Sequence, residues 1–201
     1  MAEAGIVRND VDLPRRGDKG KLAFVLDNVF TEEECREWIG LAERAGFSEA
    51  LVNTGPDNVL IRDYRHSLRA IIDDRALADK LFQRIKSFLP PEQRGWKLSC
   101  LNERLRFLRY DPGDFFAPHC DGVYVRPDHS EKSFITVQLY LSEGAEGGAT
   151  TFLDETEKGG VMVIPVTGRV LVFEHRILHE GSLVTAGTKF AVRTDAMYSN
   201  P

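Results

Sequence analysis

From Trp96 onward the chain reads as seven short β-rich runs, at about 97–110, 115–119, 134–141, 149–153, 161–164, 169–174 and 188–198. Gly, Pro, Asp and Ser break the sequence between them. Strands this short, turned this often, bury an apolar face by closing into a sandwich or a barrel. No repeat or low-complexity tract competes with that reading. A jelly roll suits it best where a site is needed, because several strands can each send one side chain into a common mouth.

The first half looks like support for that β-rich half. Residues 1–20 are polar and are expected to form a flexible arm, and 21–30 read as a strand. Thr31-Glu-Glu-Glu34 fits a capping box opening a helix, with apolar residues at Cys35, Trp38, Ile39 and Ala42 and a stop at Gly46. A second helix is expected from Asp73/Asp74 to about Leu89, with Leu77, Leu81, Ile85 and Phe88 as its stripe and Pro90-Pro91 ending it. Between the helices, 47–65 read as strand and loop with turn chemistry at 54–58. Arg62, Arg65 and Arg69 read either as a solvated face or as a patch for an anionic or peptide substrate. The expectation is a single domain over 1–201: an arm at 1–20, helix and strand support at 21–95, and a β core at 96–199.

Composition limits the function classes. The 201 residues carry 31 acidic and 26 basic side chains, a net charge of -5, which argues against a generic nucleic-acid or membrane-surface binder. Cys35, Cys100 and Cys120 are odd in number with no C-x-x-C pair, the pattern of reduced thiols. The first twenty residues hold no apolar signal region, and no run approaches membrane-spanning length. These features suggest a cytoplasmic protein, with the nucleus included. The oligomeric state is left open.

The stretch from Tyr110 to Gly122 carries the chemistry. It contains His119-Cys-Asp121, and on a strand alternate residues share a face, so His119 and Asp121 can meet one ion while Cys120 points away. A third ligand must come from a distant strand, and both His175 and His179 follow the run ending at Phe173. Two imidazoles and a carboxylate with open positions make a non-haem Fe(II) oxygenase site, or a catalytic zinc site. Lys189 and Arg193 lie four apart on one face of the last run. A cation aimed into a barrel implies an anion there, which a zinc hydrolase does not require; the alternative is that both residues face outward. Thr136, Gln138 and Tyr140 share a face opposite Ile135, Val137 and Leu139. Three polar side chains on one face of a core strand fit a co-substrate pocket. Asn102, Arg104, Arg106, Leu108 and Tyr110 share another face, which brings Arg106 near the substrate if Tyr110 points inward; Arg104 reads better as a solvated edge residue. The loop 122–132 is a candidate lid, with Tyr124 and Arg126 as candidate substrate contacts.

The order Tyr110, His119-x-Asp121, Gly147-Gly148, Thr150-Thr-Phe152, His179-Glu-Gly, Gly187-x-Lys189 closely resembles the Fe(II)/2-oxoglutarate dioxygenase domain of the prolyl 4-hydroxylase-like family, over about residues 98–199. The resemblance implies an α+β protein with a double-stranded β-helix (jelly roll) core and N-terminal supporting helices. It selects His119, Asp121 and His179 as metal ligands and catalytic residues. It makes Lys189 the partner of the far carboxylate of 2-oxoglutarate, with Tyr110 and Tyr140 as co-substrate contacts. Arg193, Thr136 and Gln138 join them as candidates. Fe(II), 2-oxoglutarate and O2 are then the cofactor and co-substrates, with ascorbate as a possible addition. The implied reaction hydroxylates an unactivated C–H of a peptidyl (prolyl-type) side chain or an amino acid, and oxidises 2-oxoglutarate to succinate and CO2. No separate peptide-substrate domain or secretory signal is visible, which counts against a collagen-like substrate. A non-catalytic jelly-roll binding module and a nucleic-acid demethylase of the same superfamily are the alternatives. The intact triad and Lys189 count against the first, and the net acidity against the second.

Overall fold

The structure, a computed structural model, describes residues 5–53, 58–59 and 61–200; the turn expected at 54–58 lies outside them except for Asn58. Two sheets face each other. The larger runs Val7–Asp10, Ala23–Asp27, Val170–Glu174, Glu131–Tyr140, Lys189–Ser199, Arg104–Tyr110, Leu68–Asp73, Ser48–Glu49, with Trp96–Leu101 also paired to Lys189–Ser199. The smaller runs Gly160–Val163, Thr150–Leu153, His179–Gly181, Phe115–His119, Arg65–His66. From Arg104 onward the chain passes back and forth between the sheets, leaving four strands in each, and neighbours pair antiparallel. This is the double-stranded β-helix.

Strand alternation decides which residues face the site. On Glu131–Tyr140, Ile135, Val137 and Leu139 pack with Trp38, Leu81 and Ile85 of the helices. Tyr140 packs with Phe152, Leu171 and Phe173 between the sheets. Thr136 and Gln138 share the inward face with Tyr140 by period 2.

The helices form as their sequences direct. In Glu32–Ala45 both halves of the capping box are made, and Gly46 closes the helix with φ 84°. In Arg75–Ile85 the Asp74 carboxylate accepts from the Ala76 and Leu77 amides at 2.8 and 3.0 Å. A 3-10 turn, Lys86–Phe88, completes the second helix before the prolines. Arg84 donates to Glu34 at 2.6 Å and to the Val29 carbonyl at 2.8 Å, tying the two helices together. Trp38, 1% exposed, fills the seam, with ring centroids 5.0 Å from Phe30 and 6.1 Å from Phe107. Trp38→Ala is expected to cost about 3–5 kcal/mol, the usual loss for an emptied aromatic core position. The check is the urea midpoint at constant m-value; a loss under about 1 kcal/mol would mean that the helices do not brace the sheet.

Two expectations are corrected. Residues 5–20 are not a loose arm: Val7–Asp10 adds an edge strand to Ala23–Asp27, and Arg15 donates to the Asp154 carbonyl at 3.1 Å and to Glu157 at 2.9 Å. The polar composition reflects an exposed edge rather than detachment. The run at 97–110 is two strands, Trp96–Leu101 and Arg104–Tyr110. Asn102 breaks it by accepting the Arg104 amide on its side chain at 3.1 Å, while its own amide donates to the Asp195 carbonyl at 2.8 Å.

Candidate active site

His119 ends one strand of the smaller sheet and His179 opens its neighbour, in direct register. Their ring centroids are 4.3 Å apart. Each ring bonds a carbonyl two residues upstream through Nδ1, His119 to Ala117 at 2.8 Å and His179 to Ile177 at 2.9 Å. A carbonyl can only accept, so these bonds assign the proton to Nδ1 and leave both Nε2 lone pairs free. Burial, then each other's proximity for His119, pushes both imidazoles down, His119 to about 3, so both are neutral donors at pH 7. His119 Nε2 is 3.8 Å from Asp121 Oδ1, and His179 Nε2 is 3.9 Å from Oδ2. The three ligand atoms lie within 4.8 Å of one another, a cluster able to hold one metal ion.

Asp121 is placed by another means than alternation. The strand ends at His119, and Asp121 follows in a loop, its amide donating to the His175 carbonyl at 2.9 Å. Its carboxylate accepts from the Thr136 hydroxyl at 2.5 Å and meets Arg193 Nη2 at 3.1 Å. Burial alone would raise this carboxyl; Arg193, the two imidazoles and Thr136 outweigh it and hold it well below the usual range. His175 stands behind. Its Nδ1 lies 2.9 Å from Thr136 Oγ1 and its Nε2 2.8 Å from Ser133 Oγ, and Ser133 Oγ accepts the Tyr124 amide at 2.9 Å. Since Thr136 must donate to the carboxylate, the chain has one polarity: Tyr124 amide to Ser133, to His175, to Thr136, to Asp121. His175 therefore positions a ligand and has no free nitrogen of its own. Cys120, between the two ligands, is exposed, consistent with pointing away.

Across the pocket stands Lys189, directly opposite Tyr110 and 3% exposed. Its ammonium lies 4.9 Å from the Tyr110 ring centroid and 5.7 Å from that of Tyr140. Among the described residues no carboxylate pairs with it. Burial alone pushes its pKa down to about 7. Its stem packs on Gly148, at φ +67°, where a Cβ would fall 3.2 Å from Lys189 Cδ and 2.9 Å from Val184 Cγ2. Only glycine meets both conditions.

The pocket is lined by the triad with Lys189, Tyr110, Thr136, Gln138, Arg193 and Arg106. Several of these are differently engaged from the expectation. Thr136 spends its hydroxyl on Asp121 and His175. Arg193 pairs with Asp121 and Asp195, both at 3.1 Å, and leaves a buried Nε without an acceptor. Tyr140, fully buried, donates to Thr150 Oγ1 at 2.8 Å, so the phenol braces the wall while Thr150 lines it. Gln138 also reaches Thr150, at 3.0 Å. Arg126 and Tyr124 lie outside the pocket. Arg126 is held by Glu103 at 2.8 Å and Glu131 at 2.6 Å, which pins the loop 122–132 rather than freeing it as a lid.

Thr150 and Phe116 are site residues that strand reading alone missed. Phe152 pairs with His179, and period 2 carries that face to Thr150. Phe116 stacks on His119 with centroids 3.7 Å apart and rings 22° from parallel.

A double-stranded β-helix with two imidazoles and one carboxylate converging in its mouth is the architecture of the non-haem iron oxygenases. The model of the 2OG-Fe(II) oxygenase superfamily matches residues 105–194. Prolyl 4-hydroxylase 2 of Arabidopsis thaliana is 27% identical, over 84% of this chain and 64% of its own length. The chain spans 53–66% of the length of four such Arabidopsis relatives. The viral collagen prolyl hydroxylase of Paramecium Bursaria Chlorella virus-1, solved with 2-oxoglutarate, shares the fold at TM-score 0.64 and 22% identity, over 90% of this chain and 97% of that one. A Trichoplax adhaerens prolyl hydroxylase in complex with a hypoxia inducible factor peptide fragment shares it at TM-score 0.65 and 17% identity, over 91% and 86%. Residues 105–194 thus match the 2OG-Fe(II) oxygenase superfamily, and the chain is similar to the prolyl 4-hydroxylases.

Proposed function

We propose that the chain hydroxylates a prolyl-type side chain in a peptide, using Fe(II) and O2 and oxidising 2-oxoglutarate to succinate and CO2. The observation that carries this reading is Lys189, a buried ammonium with no carboxylate partner among the described residues, in the same pocket as the triad. A catalytic zinc site needs no such cation, and a two-ended anion spanning metal and lysine does. His119, Asp121 and His179 would hold the metal; Lys189 would hold the far carboxylate, with Tyr110 and Thr150 shaping the wall beside it. When bound, Fe(II) with 2-oxoglutarate and O2 supplies an oxidant strong enough for an unactivated C–H bond. The protein's share is to fix geometry and exclude water. Tyr140 and Gln138 are hydrogen-bonded to Thr150, and the Phe116 ring is stacked on His119. A peptide substrate is supported by the prolyl hydroxylases among the relatives and by the peptide held in the Trichoplax complex.

The test is to load the protein with Fe(II) without oxygen, add 2-oxoglutarate, and record the visible absorption of the pair. Oxygen and a proline-containing peptide are then admitted and succinate is measured. No new absorption and no succinate would sink the assignment.

A further inference from the structure

Five arginines approach the pocket face, and the acids there do not match them. Arg193 shares Asp121 and Asp195, and Arg106 reaches the same Asp195 at 3.3 Å. Arg104 takes both oxygens of Asp73 at 2.9 Å. Glu180, the remaining acid lining the pocket, accepts from Ser182 at 2.9 Å. Arg65 and Arg69 have no ion pair among the described residues. Arg65, 9% exposed, lines the pocket and donates through Nε to the Ser67 hydroxyl at 3.1 Å. Its guanidinium lies 4.5 Å from the Phe116 ring centroid, and that ring is 3.7 Å from His119. Arg69 is half-buried directly opposite Leu108, which puts it on the pocket face beside Arg106. Burial, then Arg65, Arg106 and Arg104, lowers its hold on its proton, and no acid opposes them.

We infer that Arg65 and Arg69 form a carboxylate subsite, so that the preferred substrate is a peptide with an acidic side chain within two residues of the hydroxylated one. This rests on the hydroxylase reading in one respect: the carbon attacked must lie beside the metal ligands. Unpaired cations at a closed surface are costly unless an anion visits them. Arg65 borders the pocket that holds the triad and Lys189, while Arg69 stands apart from the 2-oxoglutarate end of it. The strand Arg104–Tyr110 separates Arg69 from Lys189, and two strand spacings are about 10 Å. The reach is set by the two stacking steps from guanidinium to His119. An extended peptide advances about 3.3–3.6 Å per residue, so two residues together with the length of the acidic side chain cover them. A single acidic side chain fits better than a polyanion. The net charge is -5, and Asp73, Glu49 and Glu180 flank the arginines, so no basic track leads away from them for a phosphate backbone.

The experiment uses the full chain loaded with Fe(II) and 2-oxoglutarate without oxygen. Binding of three fluorescent peptides, Gly-Ala-Asp-Pro-Asp-Ala-Gly and its Asn and Lys counterparts, is read by anisotropy. The Asp peptide is expected to bind at least about tenfold tighter than the Asn peptide, as charge-assisted bonds allow. Arg69→Glu is expected to turn the preference toward the Lys peptide, and the milder Arg69→Gln to abolish it. Equal affinities, no binding by any peptide, or a preference that survives in both variants overturns the subsite. A short single-stranded oligonucleotide binding tighter than the Asp peptide overturns the peptide as its occupant. Succinate, measured after oxygen is admitted, separates the two readings. Succinate without a charge preference removes the subsite alone; a charge preference without succinate keeps the subsite and removes the hydroxylase.

Discussion

Replacing His179 with alanine is expected to weaken Fe(II) binding more than about 100-fold and to take succinate formation to background. His175→Ala is expected to retain a site weakened by about 10–100-fold, the usual cost of a lost outer partner. The two histidines are four residues apart, and the difference lies in their nitrogens. His179 donates Nδ1–H to Ile177 and keeps Nε2 free beside Asp121. Both nitrogens of His175 are engaged, by Ser133 and Thr136, and its influence arrives only through Thr136 and Asp121. Thr136→Val should therefore behave like His175→Ala, because each breaks the same relay. Metal titration of the three variants, with succinate rates beside it, is the measurement. A dead His175→Ala beside a metal-binding His179→Ala would reverse the ligand assignment.

Periodicity and caps made much of the fold legible, because both are local. Thr31-Glu-Glu-Glu34 closes its own capping box within one turn. The alternation in Phe134–Tyr140 separates helix-facing from site-facing residues without knowledge of the partners. Spacing set His119 beside Asp121 but left His175 and His179 open as the third ligand, and the family resemblance selected His179. What stayed hidden depends on competition between distant groups. Alternation puts the Thr136 hydroxyl in the pocket but cannot say that Asp121 and His175 capture it. It places Tyr140 inward but not against Thr150, which arrives from the other sheet. Arg126 looks free in sequence because Glu103, its strongest partner, lies 23 residues away on another loop. The arginines at 62–69 read as one patch, yet Arg62 pairs with Glu49 in solvent while Arg65 lies under the pocket.

Lys189→Met is expected to cost about 2–5 kcal/mol of 2-oxoglutarate affinity, the range for removing one member of a buried charge pair. It is also expected to erase a pH dependence expected of the native protein. Burial lowers the lysine from 10.5 to about 7. Between those values the unfolded chain binds more protons than the folded one, so the stability of the protein without co-substrate rises with pH from about 7 toward 10. Binding runs the other way. The dicarboxylate needs the charged ammonium, so affinity is level below about pH 7 and falls above it, by up to about tenfold per unit until the pKa of the complex is reached. At pH 8 most of the free protein is neutral at this position, and each binding event takes up most of a proton. Calorimetry in two buffers of different ionisation heat reads that proton directly, and chemical unfolding across the same pH range reads the opposite slope. Affinity that stays level from about pH 6 to 9, with no proton uptake, would mean that Lys189 is charged before the anion arrives and that burial does not hold its pKa near 7.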